Sequence, residues 1–278
     1  MKTNYFKNKV IIITGASSGI GKELALSLAK YGAALSLAAR KKELMQEIIK
    51  QCSQSGGEAI FVQTDVSKED QCKTLIEKTV SVFGKIDILI NNAGFGIRGD
   101  FNEFEDLKLF KTVIDANFYG SVFCTRFALP YLKKTKGQIV GISSILGKFA
   151  TKGNTAYCSS KFAMAGFFDS LRLEIQDDGI DITMIYPGLV ITGFVERMIQ
   201  LDGTLVGEDG KKFYNNKMMS TTRCAEIIIN AVKKRKRQVV MTWYGVLGVW
   251  INLISPKLSD FILKTVNKIH RMKLGKSI

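Results

Sequence analysis

Short apolar runs alternate with longer amphipathic ones along most of this chain, and the two periods separate cleanly. Runs at 10–14, 34–38, 59–64, 86–91, 137–142, 181–186 and 238–242 are rich in aliphatic and β-branched residues and too short for helices, which predicts seven strands. Between them, apolar positions recur at helical spacing over 19–31, 42–54, 68–83, 106–132, 155–177 and 222–233. The run Ile86-Asp87-Ile88-Leu89-Ile90 is apolar at nearly every position, not at every second one. That is the mark of a strand in a parallel sheet with both faces covered. Regular alternation of strand and helix predicts an α/β fold, doubly wound around a seven-stranded parallel sheet. Nothing resembling a linker appears before residue 190, so 1–242 reads as one domain.

Two stretches break the alternation. Residues 191–220 are rich in Gly, Asp, Lys and Met without a clear period, and are expected to form a mobile flap over a site or a disordered loop. Residues 243–255 hold two tryptophans and no charge, and Pro256 is expected to break that run. From 257 to 274 the positions Leu258, Phe261, Ile262, Thr265, Val266, Ile269 and Met272 fall on one face of a helix whose remainder is basic. Residues 243–278 therefore read as a basic amphipathic tail.

Charge sharpens that picture. The net charge is +15, and residues 211–278 alone hold 15 Lys/Arg against 2 Asp/Glu. An anionic partner is expected for that quarter. One expectation is an anionic membrane surface, with cations on lipid headgroups. The other is that the apolar face packs on the parent sheet or on a second subunit, as a homodimer or homotetramer. No nucleic-acid module accompanies the basic patch, so no nucleic-acid partner is expected. The five cysteines are scattered, without metal-ligand spacing, and His270 lies in the tail. That points to a reducing compartment and to no metal site. Cys158 reads as packing, not as a nucleophile. No stretch reaches the roughly 20 apolar residues that span a bilayer, and the start is too polar for a signal sequence. The expected location is cytoplasmic, free or peripheral on the cytoplasmic membrane face.

Candidate chemistry sits at three places. The first strand runs into Thr14-Gly15-Ala16-Ser17-Ser18-Gly19-Ile20-Gly21 and then into a helix. Glycines there let backbone N–H groups approach a pyrophosphate at a helix N-terminus, a dinucleotide-binding context. After the second strand comes Ala39-Arg40-Lys41-Lys42. The acid that would bond a ribose 2′-hydroxyl is missing, and Arg40 can bond a 2′-phosphate, which favours NADP(H) over NAD(H). Third, Tyr157 and Lys161 stand four apart, one turn along a helix, with Ser144 thirteen residues before the tyrosine. A lysine cation beside a phenol is expected to lower its pKa toward neutrality, making Tyr157 a usable acid or base.

These residues resemble the short-chain dehydrogenase/reductase superfamily over about residues 8–242. The elements in family order are Gly15/Gly19/Gly21, Asp65-Val66, Asn91-Asn92-Ala93-Gly94, Asn117, Ser144, Tyr157, Lys161, Pro187-Gly188 and Thr192. The resemblance implies a Rossmann fold and an oxidoreductase interconverting carbonyl and alcohol. It implies that Ser144 and Tyr157 hold the substrate oxygen, that Tyr157 transfers the proton, and that Lys161 binds the nicotinamide ribose. Asn117 would anchor a water relaying protons from Lys161. The implied cofactor contacts also include Gly15, Ser17, Ser18, Gly19, Ile20, Gly21 and Arg40 at the phosphates, and Asp65 and Val66 at the adenine. Asn92, Ala93 and Gly94 would wall the ribose, with Pro187, Gly188, Val190 and Thr192 near the nicotinamide carboxamide. Ser143 is the rival to Ser144. The region from 191 onward resembles the 7B-type dehydrogenase/reductases and the 11β-hydroxysteroid dehydrogenase relatives. It departs from the animal members in beginning almost at the first strand.

The expected substrate is a hydrophobic, lipid-like or steroid-like small molecule, with Phe194, Met198, Leu201, Leu205, Phe213, Met218 and Met219 available to line its pocket. A non-catalytic NADP-binding regulator or membrane scaffold on the same fold is the alternative. It would need the glycine turn but not the Tyr157–Lys161 pair.

Overall fold

Seven apolar runs form one parallel sheet in a computed structural model that describes residues 5–214 and 218–273, with side chains as far as residue 265. The strands are β1 (Val10–Thr14), β2 (Ala34–Ala39), β3 (Glu58–Gln63), β4 (Ile88–Asn91), β5 (Gln138–Ile142), β6 (Asp181–Tyr186) and, after two short strands treated below, β9 (Gln238–Val240). Their spatial order is β3-β2-β1-β4-β5-β6-β9. Both neighbours of β1 run parallel to it, with Ile12 opposite Ser36 on one side and Leu89 on the other. The order reverses between β1 and β4, and in such sheets the crevice beyond the strand C-termini at that point is where a ligand binds. Asp87 secures the junction from below: its backbone N donates to Val10 O at 2.9 Å, and its Oδ2 accepts from Val10 N at 2.9 Å.

Successive side chains of each strand go to opposite faces, and each face has its own helices. Ile11, Ile13, Leu35 and Leu37 pack with α1 (Gly19–Ala29), α2 (Glu43–Gln54) and α7 (Thr221–Lys233), through residues such as Leu24, Met45 and Ile228. Ile12 and Leu89 pack with α3 (Glu69–Phe83), α5 (Gly120–Thr135) and α6 (Thr155–Glu174), through Leu75, Leu132 and Phe168. Each such aliphatic or aromatic side chain contributes about 1.5–3 kcal/mol on full burial.

The helix expected over 106–132 is interrupted. It consists of α4 (Lys108–Ile114), a π-helical turn (Asp115–Tyr119) and α5. The extra residue of the π turn shifts the helical face midway, a break that apolar spacing does not reveal. The described residues of 191–220, expected to lack a clear period, nonetheless include short regular elements. They contain a 3₁₀ helix (Gly207–Phe213), and the short strands β7 (Val190–Ile191) and β8 (Met219–Ser220) pair in parallel.

The tail forms α8 (Trp243–Ile254) and α9 (Pro256–Lys273). Pro256 opens α9 where a missing N–H costs nothing, so it starts a helix as well as ending one. Gly245 and Gly248 let α8 lie close against Ile145 and Phe149. Leu258, Phe261 and Ile262 of α9 are exposed, so this part of the apolar face does not pack on the parent sheet. The side chains of Val266, Ile269, His270 and Met272, and residue 274, lie outside the described residues.

Candidate active site

The glycine turn is built by exclusion. Gly15 and Gly19 have φ of +65° and +54°, values an L side chain rarely adopts. A Cβ on Gly21 would stand 2.4 Å from the Gly15 carbonyl oxygen and 2.5 Å from Asn92 Nδ2. Asn92 holds the turn to the end of β4, its Nδ2 donating to Thr14 O at 2.8 Å, while Thr14 Oγ1 accepts from Asn92 N and Ala93 N. The N-terminus of α1 has no side-chain cap and no acid in its first turn. Its free N–H groups and the space the glycines leave fit a pyrophosphate.

At the end of β2, Ala39 is buried and Arg40 exposed, with Gln63 Nε2 bonded to the Arg40 carbonyl. Asp65 spends Oδ1 on Ser67 N and Oγ, and Val66 is covered by the close approach of Gly120. Thr192 comes to the glycine turn from the other side: a Cβ on Gly19 would lie 3.1 Å from Thr192 Cβ. The Pro187 carbonyl accepts from Ile145 N, Gly188 sits against Tyr244 and Thr242, and Val190 lies in β7.

Past β5, Ser144 Oγ accepts from Leu146 N at 3.1 Å, and its hydroxyl neighbours the Tyr157 phenol. Ser143 points elsewhere, its Oγ donating to Lys161 O at 3.3 Å. Tyr157 and Lys161 project from α6, with Lys161 Nζ 5.7 Å from the tyrosine ring centre. The buried ammonium donates to Ile142 O at 3.0 Å. Burial pulls its pKa down to about 8. The expected lowering of the phenol does not appear in the protein by itself. Burial pushes Tyr157 up to about 12, against a smaller opposite effect of the neighbouring Ser144 hydroxyl. The lysine stands too far from the ring and is bonded to a carbonyl, so desolvation prevails. Cys158 is buried and its thiol is raised by burial, consistent with packing.

Asn117 lies in the π turn and is fully buried. Its Oδ1 accepts from Phe95 N at 2.9 Å, and its Nδ2 donates to Phe95 O and Ser160 Oγ. Both amide hydrogens are thereby spent on positioning the loop after β4 against α6. Gly94 fits between: a Cβ there would lie 2.9 Å from Asn117 Oδ1 and 3.5 Å from Lys161 Nζ.

Of the expected pocket residues, Phe194 packs 5.6 Å from the Tyr157 ring, Met198 is buried near Gly96, and Leu201 joins an apolar cluster with Ile97, Val113 and Ala156. Met219 packs into the core beneath α1 and α7, and Leu205 is 60% exposed, so neither lines this cluster. Sequence reading missed Phe95 and Ser160 as partners of Asn117, and Arg197 beside Thr192. None of these carries a periodic or motif signal.

Comparison with known proteins agrees with this arrangement. A model of the short chain dehydrogenase family matches residues 9–201. A Dictyostelium discoideum dehydrogenase/reductase SDR family protein 7-like is 36% identical, over 92% of this chain and 81% of its own length. The 11-beta-hydroxysteroid dehydrogenase 1A of Arabidopsis thaliana is 35% identical, over 91% and 74%. A solved alcohol dehydrogenase from the archaeon Thermococcus sibiricus, complexed with 5-hydroxy-NADP, superposes with a TM-score of 0.73 at 26% identity, covering 84% of this chain and 95% of that one. With the sheet order, the glycine turn and the relatives in agreement, this chain belongs to the short-chain dehydrogenase family.

Proposed function

We propose that this oxidoreductase interconverts a carbonyl and an alcohol on a hydrophobic, lipid-like or steroid-like substrate. The single observation that carries the reading is the convergence of Ser144, Tyr157 and Lys161, with Lys161 Nζ against Gly94 in the loop whose Ala93 closes on Gly15 of the uncapped glycine turn. The cofactor is NADP(H), which supplies hydride chemistry when bound. Arg40 and the absence of an acid after β2 support the phosphorylated form, as does the nucleotide held by the archaeal relative. In reduction, Tyr157 donates a proton to the substrate oxygen while Ser144 holds that oxygen in place. Lys161 and the loop fixed by Asn117 keep Tyr157 supplied with protons. Positioned proton transfer of this kind contributes roughly 10²–10⁴-fold. The apolar cluster around Ile97, the packing of Phe194 on Tyr157, and the hydroxysteroid dehydrogenase names among the relatives support a hydrophobic substrate.

The intact Ser144, Tyr157 and Lys161 set counts against a non-catalytic regulator, which would have no use for it. A second part of the reading is that the tail meets an anionic membrane surface. Trp243, Leu253, Ile254 and Phe261 are each at least 69% exposed, beside the cationic Lys257 and Lys264. No helix among the described residues is long and apolar enough to cross a membrane. The test of the catalytic reading is NADPH consumption with a panel of ketones, 3-keto lipids and steroids. Tyr157→Phe should nearly abolish turnover on any accepted substrate while NADPH affinity stays within a few-fold. Turnover near that of the parent would rule out Tyr157 as the proton donor.

A further inference from the structure

We infer that Arg197 is a ligand of the cofactor pyrophosphate, contributed by the segment that covers the site and not by the glycine turn itself. The inference rests on the cofactor reading above. Arg197 Nη2 donates to the Thr192 carbonyl at 3.0 Å and lies 3.5 Å from where a Cβ on Gly19 would stand. Its Nη1 lies 2.7 Å from the corresponding position on Gly193, so that glycine is needed for the guanidinium to lie where it does. The cation is therefore held over the first residue of α1, where the N–H groups are uncapped.

A guanidinium has five N–H donors in a rigid fork, and the bond to Thr192 engages one nitrogen of that fork with a neutral partner. Glu196 accepts from Tyr214 Oη at 2.9 Å and attracts the guanidinium at longer range, with no ion pair to it among the described residues. What suits the remaining donors is an anion with several oxygens close to the helix N-terminus, which describes a pyrophosphate. The segment also reaches the substrate side. Phe194 packs against Tyr157, and Ile199 N donates to Gly96 O at 3.0 Å. A pyrophosphate bonded to Arg197 would thus secure the same stretch of chain that walls the phenol.

The pyrophosphate is common to NADPH and NADH, whereas the 2′-phosphate belongs to NADPH alone, so two arginines can be told apart by binding. Dissociation constants for both nucleotides would be measured by fluorescence titration on the parent, R197Q and R40A. Glutamine at 197 keeps a donor for Thr192 and removes the charge. R197Q should weaken NADPH and NADH alike, by about 10- to 100-fold, the range for hydrogen bonds to a charged group. Competition by inorganic pyrophosphate should weaken with it. R40A should weaken NADPH only. Parent-like affinity of R197Q for both nucleotides, or a loss confined to NADPH, would overturn the inference. R197M serves if R197Q does not fold, with the same outcomes deciding. A parent protein that binds neither nucleotide would overturn the cofactor reading beneath it, and the inference with it.

Discussion

Lys161 is placed where the fold bears a cost for it. Its ammonium is buried and retains one described bond, to the Ile142 carbonyl, and burial brings its pKa from 10.5 down to about 8. Below pH 8 both the folded and unfolded chains hold the proton, and the folded state bears the whole penalty. Between about 8 and 10.5 the unfolded chain binds more protons than the folded one, so stability rises with pH and the penalty is relieved. The full span is worth roughly 3 kcal/mol. Lys161→Met should therefore stabilise the cofactor-free protein at pH 7, less one hydrogen bond, and abolish turnover. Urea denaturation of parent and variant at pH 7 and pH 10 checks this; a variant less stable at pH 7, or an advantage that grows with pH, would contradict it. Tyr157 has the opposite sign. Its pKa is raised to about 12 from 10, so the stability it lends is complete below pH 10 and lost as pH rises toward 12. The identities of both residues could be read from their spacing on a helix. Their titration could not, because it depends on burial and on which carbonyl the lysine finds.

At the scale of elements, the glycine turn and the π turn make the site, and they differ in how visible they were. Gly15, Gly19 and Gly21 lie between a strand and a helix in plain sequence order, and all seven strands of the sheet fall within two residues of where apolar runs place both their ends, the largest offsets being the start of β4 and the end of β9. The π turn left no such trace. Its cause is tertiary: Asn117 must turn inward to bond Phe95 on one side and Ser160 on the other, and a regular helix from 106 onward would not present it there. Gly21→Ala tests the tighter of the two devices. Its methyl would stand 2.4 Å from a backbone oxygen, so the turn must open. Overpacking of this kind costs about 1–3 kcal/mol, and NADPH affinity should fall more than 10-fold, by titration calorimetry alongside a lowered melting temperature. Parent-like affinity and melting would show that the turn tolerates the methyl.

For the molecule as a whole, the parallel sheet and its helices position the candidate side chains Ser144, Tyr157 and Lys161, and the basic tail stands apart in composition, though α8 packs beside them. Helix α8 rests on Ile145 and Phe149, just past Ser144, so removing it would disturb the site; substitutions on its open face are the cleaner probe. The apolar spacing of the tail was legible, but what covers its face is a matter of partners, which a single chain does not encode. On the membrane reading, the protein should sediment with anionic and not neutral vesicles, less at high salt because cations near the surface are screened. Trp250→Ser with Phe261→Ser should weaken that binding severalfold; absence of binding, with a parent dimer that these changes make monomeric, would assign the face to a second subunit instead. The central claim is narrower: a carbonyl is reduced here with Tyr157 as the proton donor. The most direct measurement uses NADPH deuterated at the nicotinamide C4 and an accepted ketone, followed by mass spectrometry of the alcohol. Deuterium should appear on the carbinol carbon with the parent protein and be nearly absent with Tyr157→Phe at equal cofactor saturation. Labelled alcohol formed at comparable rates by both proteins, or by neither with any ketone, lipid or steroid offered, would contradict it.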